Sequence, residues 1–226
     1  MSNEFQAARV AVDHLFICVR EGGHEAQRLI SLGLYEGSPN AHPGQGTRNR
    51  RFFFQNFMLE LIWLDDPAAA ASEAVRRTLL LDRCQQRDAC PFGVCLVPFD
   101  VRGAEVPFPA WGYRPPYAPD SPPIQVATGA GLDEPMWFYL DFVGPIELRR
   151  LREAEPKEHP IGVRELTRIH LSSPTEPPSE AARVLRERGV VTFAAASEYL
   201  AELTFDGGGA GAQADLRPDL PLILRW

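Results

Sequence analysis

Val10-Ala11-Val12-Asp13-His14-Leu15-Phe16-Ile17-Cys18-Val19 and Phe57-Met58-Leu59-Glu60-Leu61-Ile62-Trp63-Leu64 are the two stretches whose reading decides the fold. Both are short, strand-like and almost wholly apolar, and each carries one central group able to bind a metal, His14 in the first and Glu60 in the second. A lone carboxylate buried in such a run is strongly disfavoured unless something pairs with it. Strand alternation puts His14 on the face of Val10, Val12, Phe16 and Cys18, and Glu60 on the face of Met58, Ile62 and Leu64. On neighbouring strands the two groups answer each other. They do so either as a plain buried pair or as two sides of a ligand or metal site.

Working outward, the first strand gives way to Gly22-Gly23 and then to a helix with Ala26, Leu29, Ile30 and Leu32 at helical spacing, stopped by Gly33. A short strand near Tyr35 and a polar, glycine-rich loop over 38–49 follow. A strand from Arg50 to Phe54 then turns at Gln55-Asn56 into the Glu60 strand. Asp66-Pro67 caps a helix predicted to run to about Gln86. In the middle, strands are expected over 92–97, 124–127 and 136–142. Between the first two lies a proline-rich, aromatic segment over 106–119, which proline bars from a helix or a central strand. Its aromatics need burial, so it is expected to lie across a sheet face as a cover. The last third repeats the opening order. It has a strand over 166–171, a helix capped by Ser179 and ended by Gly189, and strands over 190–193, 198–205 and 222–226, with a flexible tip at 207–211.

A chain of 226 residues with 45% hydrophobic and 23% charged residues has the composition of a soluble globular protein. Its net charge of -7 argues against a nucleic-acid partner, because phosphate binding needs a basic face. No apolar stretch is long enough to span a bilayer, and the N-terminus lacks the basic-then-apolar order of a signal peptide. Cys18, Cys84, Cys90 and Cys95 do not have zinc-site spacing and read as reduced thiols, as expected of a cytoplasmic protein.

The stretch Val12-Asp13-His14-Leu15, the loop from His42 to Asn49 and the hairpin ending Leu59-Glu60-Leu61 together resemble the vicinal oxygen chelate superfamily, and within it the glyoxalase-like proteins. The resemblance implies an α+β fold of repeated βαβββ modules, with curved mixed sheets around a cleft and helices outside. Residues 1–90 would form the first module and its connecting helix. Residues 91–226 would hold a degenerate second module and a C-terminal copy, in one compact unit. It also implies that His14 and Glu60 take the first module's ligand positions for a divalent ion such as zinc, nickel, iron or manganese, with Glu60 moving a proton at the substrate. The strands over 92–97 and 124–127 offer only Cys95 and Gln125 to complete that set, and the final strand has no carboxylate. Paired modules in this family often form homodimers.

The loop from His42 to Asn49 has a turn-rich reading and a functional one. In the functional reading His42, Thr47, Asn49 and Arg50, with Arg48 and Arg51 near, hold an anionic or carbonyl oxygen of a small molecule, and His42 is a candidate third ligand. It is not a Walker phosphate loop, having no Lys-Ser/Thr after its glycines. Trp63, Trp111, Tyr113 and Tyr117 are candidates for an apolar pocket wall, although aromatics are more often core. His170 and Glu202 look like counterparts of the first pair on polar, wet faces, and His24 and His159 are expected to be exposed. Two functions follow. One is a metal-dependent isomerase, lyase or dioxygenase acting on a molecule with adjacent oxygens. The other is a metal-free protein that binds or sequesters a small molecule in the same cleft.

Overall fold

The computed structural model describes residues 10–99, 105–144 and 151–226. Strand β1 (Val10–Cys18) runs parallel to the Glu60 strand and antiparallel to the strand that opens the middle of the chain. The other strands of this sheet are β2 (Asn40–His42), β3 (Thr47–Phe53), β4 (Met58–Leu64), β5 (Phe92–Pro98), β6 (Ala110–Tyr113), β7 (Ile124–Ala127) and β8 (Met136–Tyr139). Their order is β2-β3-β4-β1-β5-β8-β7-β6, so the strands meet in two equivalent halves, with β1 parallel to β4 and β5 parallel to β8. The expected α+β architecture of curved mixed sheets is what the molecule has.

The last third builds a second sheet from β9 (Leu166–Ser173), β10 (Thr192–Ala195), β11 (Leu200–Phe205), β12 (Gln213–Asp215) and β13 (Leu222–Arg225), ordered β10-β9-β11-β13-β12. Its parallel and antiparallel pairings repeat those of the middle strands β4-β1-β5-β8-β7 of the large sheet. Four α-helices are present among the described residues: α1 (Ala26–Leu32), α2 (Pro67–Ala70), α3 (Leu80–Gln85) and α4 (Glu180–Glu187).

One core joins the two sheets. Leu15, Ile17, Leu59, Leu61, Val94 and Leu96 of the large sheet cluster with Ile169, Leu171, Leu203, Leu222 and Leu224 of the small one. Ala26 and Leu29 of α1 and Ala181 and Leu185 of α4 complete the same cluster. A smaller cluster of Phe16, Ile62, Cys95, Tyr113, Val126, Met136 and Phe138 lies on the other face of the large sheet. That second face holds the polar groups of interest.

Several local expectations are corrected. The pairing slips between Val12, opposite Leu96, and His14, opposite Cys95, which leaves Asp13 as a bulge. The extra residue reverses parity, so Val10 and Val12 pack on the shared core while His14 turns to the opposite face with Phe16. The stretch over 38–49 is no open loop but the β2–β3 hairpin, and the strand expected near Tyr35 forms instead at 40–42. Asp66 does cap a helix through the amides of Ala68 and Ala69, with Pro67 at its start, but the helix ends at Ala70. The Thr78 hydroxyl bonds back to the Val75 carbonyl and accepts from the Leu80 amide, and Leu79 takes a left-handed φ of 59°. Those side-chain bonds compete with the helical ladder and separate α3 from the turn before it. His159 is buried, its ring bonded to the Phe53 carbonyl and the Tyr35 amide.

Candidate functional site

The bulge at Asp13 makes two consecutive side chains serve one site. His14 Nδ1 lies 2.6 Å from Asp13 Oδ2, and both Asp13 oxygens accept from Arg152 at 2.8 Å. Burial pushes the Asp13 carboxyl up, but the His14 hydrogen bond and the Arg152 charge outweigh it and hold the group at about 2. Asp13 is therefore a carboxylate, and it fixes the His14 tautomer with the hydrogen on Nδ1.

Glu60 is held in the same way from the other side. It stands opposite Arg51 on β3, and its Oε1 accepts from Asn49 Nδ2 at 2.5 Å. Its second oxygen, Oε2, lies 3.6 Å from His14 Nε2. Each partner thus has one atom fastened by its neighbours and one atom facing the other. With Nδ1–H given to Asp13, the neutral form of His14 presents Nε2 to Oε2 as an acceptor, and hydrogens placed between them satisfy both.

The hairpin supplies the flank of this pair. His42 is buried, its Nδ1 is 2.9 Å from Thr47 Oγ1 and its Nε2 is 3.2 Å from Asn40 Nδ2. Gln45 bridges Thr47 Oγ1 at 2.8 Å and the Tyr113 hydroxyl at 2.8 Å. The Asn40 amide donates to Asn49 Oδ1 at 2.7 Å, which orients the amide that reaches Glu60. Burial pushes the His42 imidazole down, and the nearby Arg51 and His14 add to this while Glu60 opposes it, so His42 is neutral at pH 7. Part of the proline-rich segment is the edge strand β6, not a cover, and the residues after it reach the hairpin. Tyr117 stacks on His42 with ring centroids 4.6 Å apart, and a side chain at Gly44 would run into Pro116. Phe138 meets the His14 ring edge-on at 5.4 Å, closing the apolar side of the pair.

The sequence candidates divide by face. His14, Glu60, Thr47 and Asn49 share the face bearing Phe16 and Ile62, and His42 joins them through Thr47. Arg50 and Trp63 lie on the opposite face, where both approach Gly23 at the start of α1 and Arg50 is bound to Glu36 and the Gly23 carbonyl. Arg51, rather than Arg50, stands opposite Glu60. In the small sheet His170 faces Glu202 across the β9–β11 ladder, but His170 is bonded to Thr192 and Glu202 to Arg225.

The donor set decides whether a resident catalytic metal fits. Two ligands about 2.1 Å from a tetrahedral ion stand roughly 3.4 Å apart, close to the separation of Nε2 and Oε2, but a catalytic site takes three protein ligands. The register that sets His14 against Met58 and Phe16 against Glu60 in the first half sets Gly93 against Met136 and Cys95 against Phe138 in the second. On the matching face of the second half β5 presents Gly93 and Cys95 and β8 presents Met136 and Phe138, and none of these is a histidine or a carboxylate. Among the described residues the one group of three that could hold an ion is Asp13, His14 and Cys95. Asp13 is committed to Arg152, and Cys95 is fully buried in the apolar cluster of Phe16 and Phe138. The residues do not fit a resident three-ligand metal.

Sequence reasoning missed Asp13, Arg152, Gln45 and the position of Phe138 against His14. Asp13 carried a signal, a carboxylate next to the histidine, but alternation assigns it to the far face. Arg152 lies too far along the chain for pattern to connect it.

The glyoxalase-like domain family model matches residues 12–189. No curated protein matches the chain. Among solved structures, the crystal structure of a hypothetical protein from Staphylococcus aureus is similar over 96% of this chain and 98% of that one. The TM-score is 0.55 at 10% identity, a likeness of fold alone. Among the described residues no helix is long and apolar enough to cross a membrane. With 178 of its residues under that family model, the chain belongs to the glyoxalase-like domain family of the vicinal oxygen chelate superfamily.

Proposed function

We infer that the face around His14 and Glu60 binds a small aromatic or otherwise apolar molecule carrying two adjacent hydroxyls, without a resident metal. The observation that carries this reading is the pair of facing acceptors, His14 Nε2 and Glu60 Oε2, 3.6 Å apart and each fixed from behind. Two neighbouring hydroxyls give one hydrogen to each, while Phe16 and Phe138 offer the apolar wall for the body of the molecule. A single hydroxyl serves only one of the two acceptors.

The chemistry available to these residues is proton removal from a bound hydroxyl. Glu60 accepts the proton, Asn49 holds the carboxylate in place, and Asp13 keeps the His14 lone pair aimed at the second hydroxyl. Titration calorimetry with catechol, and with resorcinol as the isomer whose hydroxyls are not adjacent, tests the reading. Catechol is expected to bind the wild type and to bind His14→Ala and Glu60→Gln roughly tenfold more weakly or worse, a loss of about 1.4 kcal/mol for each removed partner. Equal binding of catechol and resorcinol, or unchanged binding in both variants, would contradict it.

A further inference from the structure

A cavity of about 580 Å³, lined by Asp13 and Arg152 but not by His14 or Glu60, opens between the start of β1 and the start of β9. That volume is within the range of sites that take small organic ligands, roughly 300 to 1,000 Å³. Its lining is divided by chemistry. Val12, Phe57, Val97 and Ile169 give it an apolar floor, the last three almost fully buried. Phe99, one of few large apolar side chains left exposed, stands 50% accessible beside it.

The charged lining is mainly basic. Arg152, Lys157, Arg168 and Arg188 line the cavity against only Asp13 and Glu165, in a chain whose net charge is -7. Arg152 is neutralised by Asp13 at 2.8 Å. Lys157 and Arg168 make no hydrogen bond or ion pair with their side chains among the described residues. Local basicity over an apolar floor, against the overall sign of the molecule, suits a ligand with an anionic head and an apolar body.

We propose that this cavity is a second ligand site, separate from the His14–Glu60 face, that takes a small amphiphilic carboxylate with its head at Lys157 and Arg168 and its chain over Val12, Phe57 and Val97. The proposal stands independently of the reading of the first site.

Decanoate is the probe, with 1-decanol as the uncharged chain of equal length. Binding of decanoate by the full chain is followed by titration calorimetry in the wild type, in the double variant Lys157→Glu/Arg168→Glu, and in His14→Ala. Neither Lys157 nor Arg168 is buried, so the double variant is expected to keep the wild-type circular dichroism spectrum. The single variants Lys157→Gln and Arg168→Gln provide the same comparison if charge reversal impairs folding. One decanoate per chain is expected, roughly tenfold weaker in the double variant, weaker for decanol, and unchanged in His14→Ala. No binding by the wild type, equal binding by the cation variants, or loss of binding in His14→Ala would each overturn the proposal.

Discussion

At Asp13 a buried carboxylate takes two hydrogen bonds from Arg152 and one from His14, so removing its charge leaves a half-buried guanidinium without its partner. Breaking a buried pair from one side costs about 3 to 5 kcal/mol, and Asp13→Asn is expected to lose stability of that order in urea unfolding. A loss below about 1 kcal/mol would mean that the pair is solvated and fixes nothing. The same group gives a pH signature. Its folded value of about 2 lies below its ordinary 3.8, so its stabilisation is complete above that ordinary value and is lost as pH falls through 2. The difference corresponds to about 2 kcal/mol, present in the wild type and absent in Asp13→Asn. None of this was legible in the sequence. Alternation sends a residue next to His14 to the other face, and only a bulge, set by pairing with β5, brings both to one side.

Elements with continuous apolar runs were legible: β1, β4 and β5 follow the apolar pattern in sequence, and α4 follows its Ser179 cap and Gly189 end. The β2–β3 hairpin was not, because its strands are polar and its identity comes from tertiary bonds such as Asn40 to Asn49. The end of the helix at Ala70 was not either, because the alanine-rich sequence carries no stop signal there. Gly93 on β5 shows how tightly the two halves of the large sheet fit. A Cβ there would stand 2.1 Å from the Phe16 ring. Gly93→Ala is therefore expected to destabilise by about 1 to 3 kcal/mol, as overpacking does, and Phe16→Leu in the same chain should recover part of that. Equal stability of Gly93→Ala and wild type by thermal unfolding would show that the ring has room to move.

At the scale of the molecule, the family resemblance made the fold legible, and the apolar patterns around His14 and Glu60 marked the two strands that lie side by side. The second half could not be read, since it is defined by which residues the β5–β8 register places opposite them. Those residues are Gly93, Cys95, Met136 and Phe138, with no histidine or carboxylate among them where a complete metal centre needs ligands. The polar pair therefore belongs to one half of the large sheet, while its apolar wall is shared by Phe16 of that half and Phe138 of the other, and this asymmetry is the central claim. Equilibrium dialysis of the full chain against zinc, nickel, manganese and ferrous iron, followed by elemental analysis, tests it most directly. The account predicts no stoichiometric ion that depends on His14. One bound equivalent that disappears in both His14→Ala and Glu60→Gln would contradict it.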